Sequence, residues 1–304
     1  MELLVVGSVA YDSVETAAGK RDEMLGGSAT HFSLAAALFT PPGLVAVIGN
    51  DFKEDDVTLL REHGVELTGL TTANGPTFRW GGRYHADMNG RDTLFTQLNV
   101  FESFEPHLEP VHREASLVFL ANIHPALQQR VLDQVNSPGF VALDTMNLWI
   151  DVARGELTDV LKGVDALFIN DEEVRQLTGK HSIVHAAADV QQLGPELVIV
   201  KRGEHGAMIF HGDDRFFVPA FPVADVVDPT GAGDSFAGGF MGYLAQAGDL
   251  SHTTIRRAAV VGSIVASFCV EDFGTDRVST LSLAEVRKRY TAFEDMIRFE
   301  PLSL

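Results

Sequence analysis

Through most of the chain, short unbroken apolar runs alternate with segments of helical periodicity. "ELLVVG", "GLVAVIG", "SLVFLAN", "GFVALDT", "DALFIN" and "ELVIVK" are too short for helices and lack the in–out alternation of a half-exposed strand. They read as strands buried on both faces. Between them, "DDVTLLREHG" and "HPALQQRVLDQV" carry the helical pattern. The alternation predicts an α/β fold: a mostly parallel central sheet covered by helices on both faces. Ligands in such sheets settle beyond the carboxyl ends of strands. The polar residues just after the runs, Asp12, Asn122, Asp144, Asn170 and Lys201, are therefore the ones to follow.

The stretch from about 72 to 104 breaks the pattern. In "RYHADMNGRDTLFTQL" an Asn89-Gly90 pair between extended segments predicts a tight hairpin turn. With "VETAAGKRDEM" after the first strand, it forms a small β excursion, read either as a lid or as a surface hairpin. There is no internal repeat, low-complexity tract or proline-rich linker, so residues 1–304 are expected to form one domain with a β lid from roughly 11–25 and 72–104.

Composition narrows the function. Hydrophobic residues make up 45% of the 304 and charged ones 21%, a globular balance. A net charge of -19, from 23 Lys+Arg against 42 Asp+Glu, would repel a phosphate backbone and argues against nucleic acid as a partner. A small anionic substrate needs only a local pocket of donors and stays open. Cys269 is alone, which excludes an intrachain disulfide and suits a reducing compartment. The first apolar run follows an acidic residue and reads as a buried strand rather than a targeting segment. "AAVVGSIVASFCV" is too short to span a bilayer, so a soluble, cytoplasmic protein without a membrane partner is expected.

The candidate chemistry centres on "DPTGAGDSFAGGF", residues 228–240. Gly231 and Gly233 permit backbone angles that turn successive amides toward one point, and the helix that follows adds positive partial charge. Asp234 falls in the first helical turn, where it can take a proton from a hydroxyl attacking a phosphoryl group while the amides absorb charge. An aspartate at a helix start also serves simply as a cap or a favourable charge.

The longer string resembles the C-terminal signature of the ribokinase-like, or PfkB, family of carbohydrate kinases. "LGGSATHFSLAAAL" is similar to that family's N-terminal glycine-pair signature, "INDEEV" to its Asn-x-x-Glu motif, and "VKRGEHGAMIF" to its nucleotide-binding strand-turn-strand. The four occur in the family's order over nearly the whole chain. The resemblance implies an ATP-dependent kinase using Mg²⁺, whose hydroxymethyl substrate lies between the sheet and a β lid.

Residue by residue, the resemblance makes Asp234 the catalytic base, with the amides of Gly231, Ala232, Gly233 and Asp234 as its anion hole. Asn170 and Glu173 organise the hydration shell of Mg²⁺ and the nucleotide phosphates; they also read as the start of a capped helix. Lys201, Gly203, Glu204 and Gly206 form the nucleotide turn, and Gly274 matches, more loosely, the loop over the base. Asp228 and Thr230 match positions that in some relatives build a monovalent-cation (K⁺) site; Asp228-Pro229 equally suits a plain turn. At the substrate end, Asp12 offers two acceptors to a diol, and Gly26 and Gly27 let substrate approach the backbone. Asn122 and Asn147 are candidates for the same pocket. His31 stands where many relatives carry asparagine, and reads as a ligand or as a structural histidine. On the lid, Trp80, Arg83 and Tyr84 are placed to cover a sugar or base, and Arg79, Arg83 and Arg91 form a basic cluster. Lid strands in this family sometimes pair two subunits, which makes a homodimer an option.

The leading reading is a sugar kinase acting on a primary hydroxyl. The alternative is a nucleoside kinase, kept open by His31 and by "DTMNLWI", which has no arginine where a sugar-acid "D-x-N-x-R" arrangement would put one. A non-catalytic sugar or nucleotide sensor is disfavoured by the intact Asp234 and glycine turn. A Rossmann dehydrogenase is disfavoured because "VVGSVAYDS" lacks G-x-G-x-x-G.

Overall fold

A computed structural model describes residues 1–300. The six apolar runs form the strands β1 (Leu3–Val6), β4 (Gly43–Gly49), β8 (Leu117–Leu120), β9 (Phe140–Asp144), β10 (Ala166–Asn170) and β11 (Leu197–Lys201). Between and after them lie β2 (Ala10–Thr16), β3 (Gly19–Gly26), β5 (Leu70–Ala73), β6 (Phe78–Tyr84), β7 (Arg91–Gln97), β12 (Ala207–His211) and β13 (Asp214–Val218). The main sheet has the order β13-β12-β11-β10-β9-β8-β1-β4-β5. It is parallel from β5 to β11 and closes with the antiparallel pair β12 and β13.

The unbroken apolar runs are explained by two cores. Along β1, Leu3 and Val5 point into one and Leu4 and Val6 into the other; along β10, Ala166 and Phe168 part from Leu167 and Ile169 in the same way. Helices Ser28–Ala37, Ala232–Ala247 and His252–Cys269 cover the first face, and helices Pro125–Leu132, Arg154–Leu161, Asp171–Thr178 and Ile183–Gln191 the second.

The first face fixes the glycine-rich segment. Phe32 stacks on Phe119 at 4.3 Å, Phe119 meets Phe168 edge-on at 5.6 Å, and Phe168 meets Phe240 edge-on at 5.3 Å. This aromatic chain ties both helices to the sheet, each buried ring contributing about 1.5–3 kcal/mol through burial alone. Gly238 lets the helices touch: a Cβ there would sit 2.3 Å from the Phe32 carbonyl oxygen. The N-terminus of helix Ala232–Ala247 is thereby held at the carboxyl edge of the sheet.

The excursion is a separate four-stranded sheet in the order β3-β2-β6-β7, with β2 and β6 parallel. It differs from the expectation in two respects. β5, which overlaps its expected start, belongs to the main sheet and pairs with β4. The turn at Asn89-Gly90 is not a two-residue one: six residues, His85–Gly90, join β6 to β7. The left-handed residue is Met88 (φ 58), and the Asp87 carboxylate accepts the amides of Asn89 and Gly90.

Candidate active site

The carboxyl ends of β9, β10 and β11 deliver Asp144, Asn170 and Lys201 to one edge of the main sheet, and the glycine-rich helix start faces them. Gly231 adopts the left-handed conformation (φ 75, ψ 0) at the N-cap, which has no side-chain cap. Ser235 N–H makes the first helical bond, to the Gly231 carbonyl at 2.8 Å. Among the described residues the amides of Gly231, Gly233 and Asp234 have no acceptor, whereas that of Ala232 is taken by the Pro229 carbonyl at 3.2 Å. Three of the four expected anion-hole amides are therefore open and Ala232 is spent on the turn.

Asp234 is half-buried in the first turn of helix Ala232–Ala247. Burial pushes its carboxyl up to about 7; Asp144 and Asp12 add to the rise, while Lys201 and Arg91 oppose it. Asp12 does not follow β1 directly but lies within β2, on the lid. It is buried, its Oδ2 accepts the Gly27 amide at 3.3 Å, and burial with the charge of Asp228 pushes it up to about 7. Gly26 passes so near that a Cβ would fall 2.1 Å from that oxygen.

Asn170 and Glu173 form a complete capping box: Asn170 Oδ1 accepts the Glu172 and Glu173 amides at 3.0 and 2.8 Å, and Glu173 Oε2 accepts the Asn170 amide at 2.9 Å. The other Glu173 oxygen has no hydrogen-bond partner among the described residues. Burial pushes Glu173 up to about 7 against the opposing charge of Lys201. One free carboxylate oxygen suits a hydrated Mg²⁺ held through water rather than a dedicated cage.

Lys201 ends β11 just before the nucleotide turn. Its Nζ donates to Asp144 Oδ2 at 2.7 Å and lies 3.2 Å from where a Cβ on Gly233 would be, so it points under the glycine-rich helix. The turn itself is formed by Gly203 (φ 53) and Gly206 (φ 81), while the Glu204 side chain is exposed, with His205 Nε2 3.9 Å away. Asp228 is fully buried, and its two oxygens accept the amides of Thr230 at 2.8 Å and Gly274 at 2.9 Å, clamping two loops together. Burial raises its carboxyl as well.

His31 sits beneath the anion hole, with its imidazole against Gly231. Both ring nitrogens are buried without partners among the described residues, and burial pushes the ring down to about 4, leaving it neutral. Asn122 Oδ1 is engaged by Trp149 Nε1 at 2.9 Å.

The lid contributes more than was legible. Thr230 Oγ1 donates to Tyr84 OH at 3.2 Å, and Thr16 Oγ1 to the Val227 carbonyl at 2.8 Å. The Asn89 side-chain oxygen is 3.0 Å from where a Cβ on Gly203 would sit, so the lid turn meets the nucleotide turn. Trp80 pairs in register with Asp12. The basic cluster divides: Arg79 pairs with Asp51 at 2.8 Å and Arg83 with Glu15 at 3.0 Å, while the charge of Arg91 acts on Asp234 and Glu173. Asp144 and Arg91 are thus residues whose place beside Asp234 motif reading did not give; strand-end position flagged the first, and the basic cluster of the lid the second.

Known proteins resemble this one throughout. The model of the pfkB family carbohydrate kinases matches residues 2–280. A cytidine kinase of Thermococcus kodakarensis is 30% identical over 80% of this chain and 88% of its own. A nucleoside kinase of Methanothermobacter thermautotrophicus is 29% identical over 96% of each. A putative ribokinase II from E. coli, solved with ATP and Mg²⁺, superposes with a TM-score of 0.79 at 21% identity, over 96% of this chain and 99% of that one. With a fold of the ribokinase type and the family's motifs gathered at one sheet edge, the chain belongs to the pfkB family of carbohydrate kinases, ATP-using enzymes that phosphorylate a hydroxyl.

Proposed function

We propose that the protein is a nucleoside kinase, moving the γ-phosphoryl group of ATP to the primary hydroxyl of a ribose that carries a base. The observation that carries the catalytic part is the Asp234 carboxyl, with an affinity for protons matched to neutral pH, beside three open amides. Asp234 takes the proton as the hydroxyl oxygen bonds to the γ-phosphorus. The bond from that phosphorus to the β–γ bridging oxygen breaks, and ADP leaves. The amides of Gly231, Gly233 and Asp234 receive the charge on the transferring oxygens, and Asp12 holds the substrate's other hydroxyls.

Mg²⁺ supplies neutralisation of the triphosphate charge, and the free Glu173 oxygen is the protein group that would hold its water shell. Each Asp228 oxygen accepts one amide and keeps a second lone pair, so a K⁺ site there rests on the family resemblance alone.

Two observations favour a nucleoside over a free sugar, and a third argues against a sugar acid. Two relatives covering most of the chain are named for cytidine and nucleoside substrates. Trp80 stands beside Asp12 on the lid, giving an apolar ring to a base while the carboxylate takes the ribose. No arginine follows Asn147 to receive a sugar acid.

The test is ADP release across cytidine, adenosine, ribose, fructose, sugar acids and inositol. A nucleoside should give the highest kcat/KM; a free sugar winning would overturn the substrate class, and binding without turnover would indicate a sensor. Asp234→Asn should keep ATP binding and lower kcat by about 100- to 10,000-fold, and near-normal turnover would remove the base.

A further inference from the structure

We propose that the Lys201–Asp144 ion pair is a positioning device for Asp234, placing a buried cation and a buried anion beside it so that their balance sets its charge during the reaction. This rests on the reading of Asp234 as the base.

The pair joins two strands that do not touch. β9 and β11 flank β10, and Asp144 and Lys201 meet across the end of β10, near Asn170. Nζ to Oδ2 is 2.7 Å, and the side chains are 19% and 4% exposed. Asp144 is held from the other side by the Thr145 amide, 2.8 Å from Oδ1. Its carbonyl accepts Gln128 Nε2 at 3.0 Å, which keeps the strand end from moving. The lysine is directed away from the nucleotide turn and under Gly233, next to the residue whose proton affinity matters.

An ammonium has three donors, and among the described residues only the one to Asp144 finds an acceptor. A cation so buried persists only if anions hold it there. Burial works against the charge of Lys201, but Asp144, Glu173 and Asp234 together outweigh it and leave the lysine charged through neutral pH. Charged or titratable groups surround Asp234 from several elements. These are Asp12 on β2, Arg91 on β7, Asp144 on β9, Lys201 on β11 and the Cys269 thiol on helix His252–Cys269. The thiol is pushed up to about 12 by burial and stays neutral. His31 of helix Ser28–Ala37, neutral by burial, lies under the same helix start. Asp12 and Arg91 arrive with the lid, whereas Asp144 and Lys201 are fixed by the main sheet, so the pair acts whether or not the lid is engaged.

The two halves act with opposite sign, and that is the test. In a pH profile of kcat/KM with a nucleoside substrate, the acidic limb should report the site carboxyls near 7, and profiles repeated in Glu173→Gln and Asp12→Asn backgrounds isolate the share of Asp234. Lys201→Met leaves Asp144 buried and uncompensated and should move the limb up by about one pH unit or more; Asp144→Asn leaves the ammonium unopposed and should move it down by a similar amount. Lys201→Arg should restore the limb, and Lys201→Met/Asp144→Asn should return it toward the starting position.

Limbs moving the same way in both single variants, or unmoved in active enzyme, would overturn the proposal. So would a large rise in KM for ATP in Lys201→Met with the limb in place, which makes the lysine a phosphate contact. If Lys201→Met fails to fold, Asp144→Asn and the double variant decide by the sign of their shift. Asp234→Asn separates the two readings. Turnover persisting there removes the base itself, while turnover lost there with unmoved limbs elsewhere removes only the pair.

Discussion

Replacing Gly231 by alanine is the sharpest probe of the anion hole, because two separate costs arise from one methyl group. The residue is left-handed at φ 75, a conformation that costs an L-residue about 1–2 kcal/mol. The added Cβ would also fall 2.2 Å from His31 Nδ1 and 2.3 Å from Cγ and Cε1, where ordinary contact needs about 3.5–4.0 Å. His31 is 1% exposed and packed against the turn, so overpacking adds about 1–3 kcal/mol. The total is about 2–5 kcal/mol, and in a chain of this size each kcal/mol lowers Tm by about 2–4 °C. Urea unfolding of Gly231→Ala, His31→Ala and the double variant separates the two costs. Removing the ring should recover the clash share of about 1–3 kcal/mol and leave the backbone share in place. Effects that add to within about 0.5 kcal/mol would show that the ring does not support the turn, and the placement of His31 beneath the anion hole would be wrong.

Asp12, Glu173 and Asp234 are each pushed up to about 7 by burial, from 3.8, 4.5 and 3.8. Between those limits the native state holds protons that the unfolded chain has lost, so the stability they lend is complete below about 4 and is lost as pH rises through 7. Tm of the ligand-free protein should fall from pH 5 to 8, less steeply in Asp12→Asn; a flat profile in the unsubstituted protein would contradict their burial. In the nucleotide turn, Gly206 has φ 81 and a Cβ there would meet the Val218 carbonyl oxygen at 2.1 Å. Gly206→Ala should weaken ATP binding by calorimetry and cost about 1–3 kcal/mol of stability, and unchanged ATP affinity would detach the turn from the nucleotide.

The chain's local patterns determined the architecture. Runs such as "LLVV" and "ALFI" are apolar at every position because each strand faces two cores, and that requirement is written residue by residue. The capping box at Asn170 and Glu173 and the left-handed Gly231 are likewise short-range devices, closed within a few residues. What the tertiary structure decided depends on partners far away in sequence. The direction of Lys201 toward Asp144, 57 residues distant, follows from strand order, and the division of the lid arginines follows from where Asp51 and Glu15 happen to lie. His31 rests under Gly231 because Gly238 and Gly242 of helix Ala232–Ala247 let the backbone of helix Ser28–Ala37 approach closely. The charge on Asp234 depends on groups from β2, β7, β9 and β11, and sequence spacing does not encode their summed field. Backbone periodicity is a property of neighbours along the chain, whereas an ionisation state is a property of neighbours in space, and only folding brings those together.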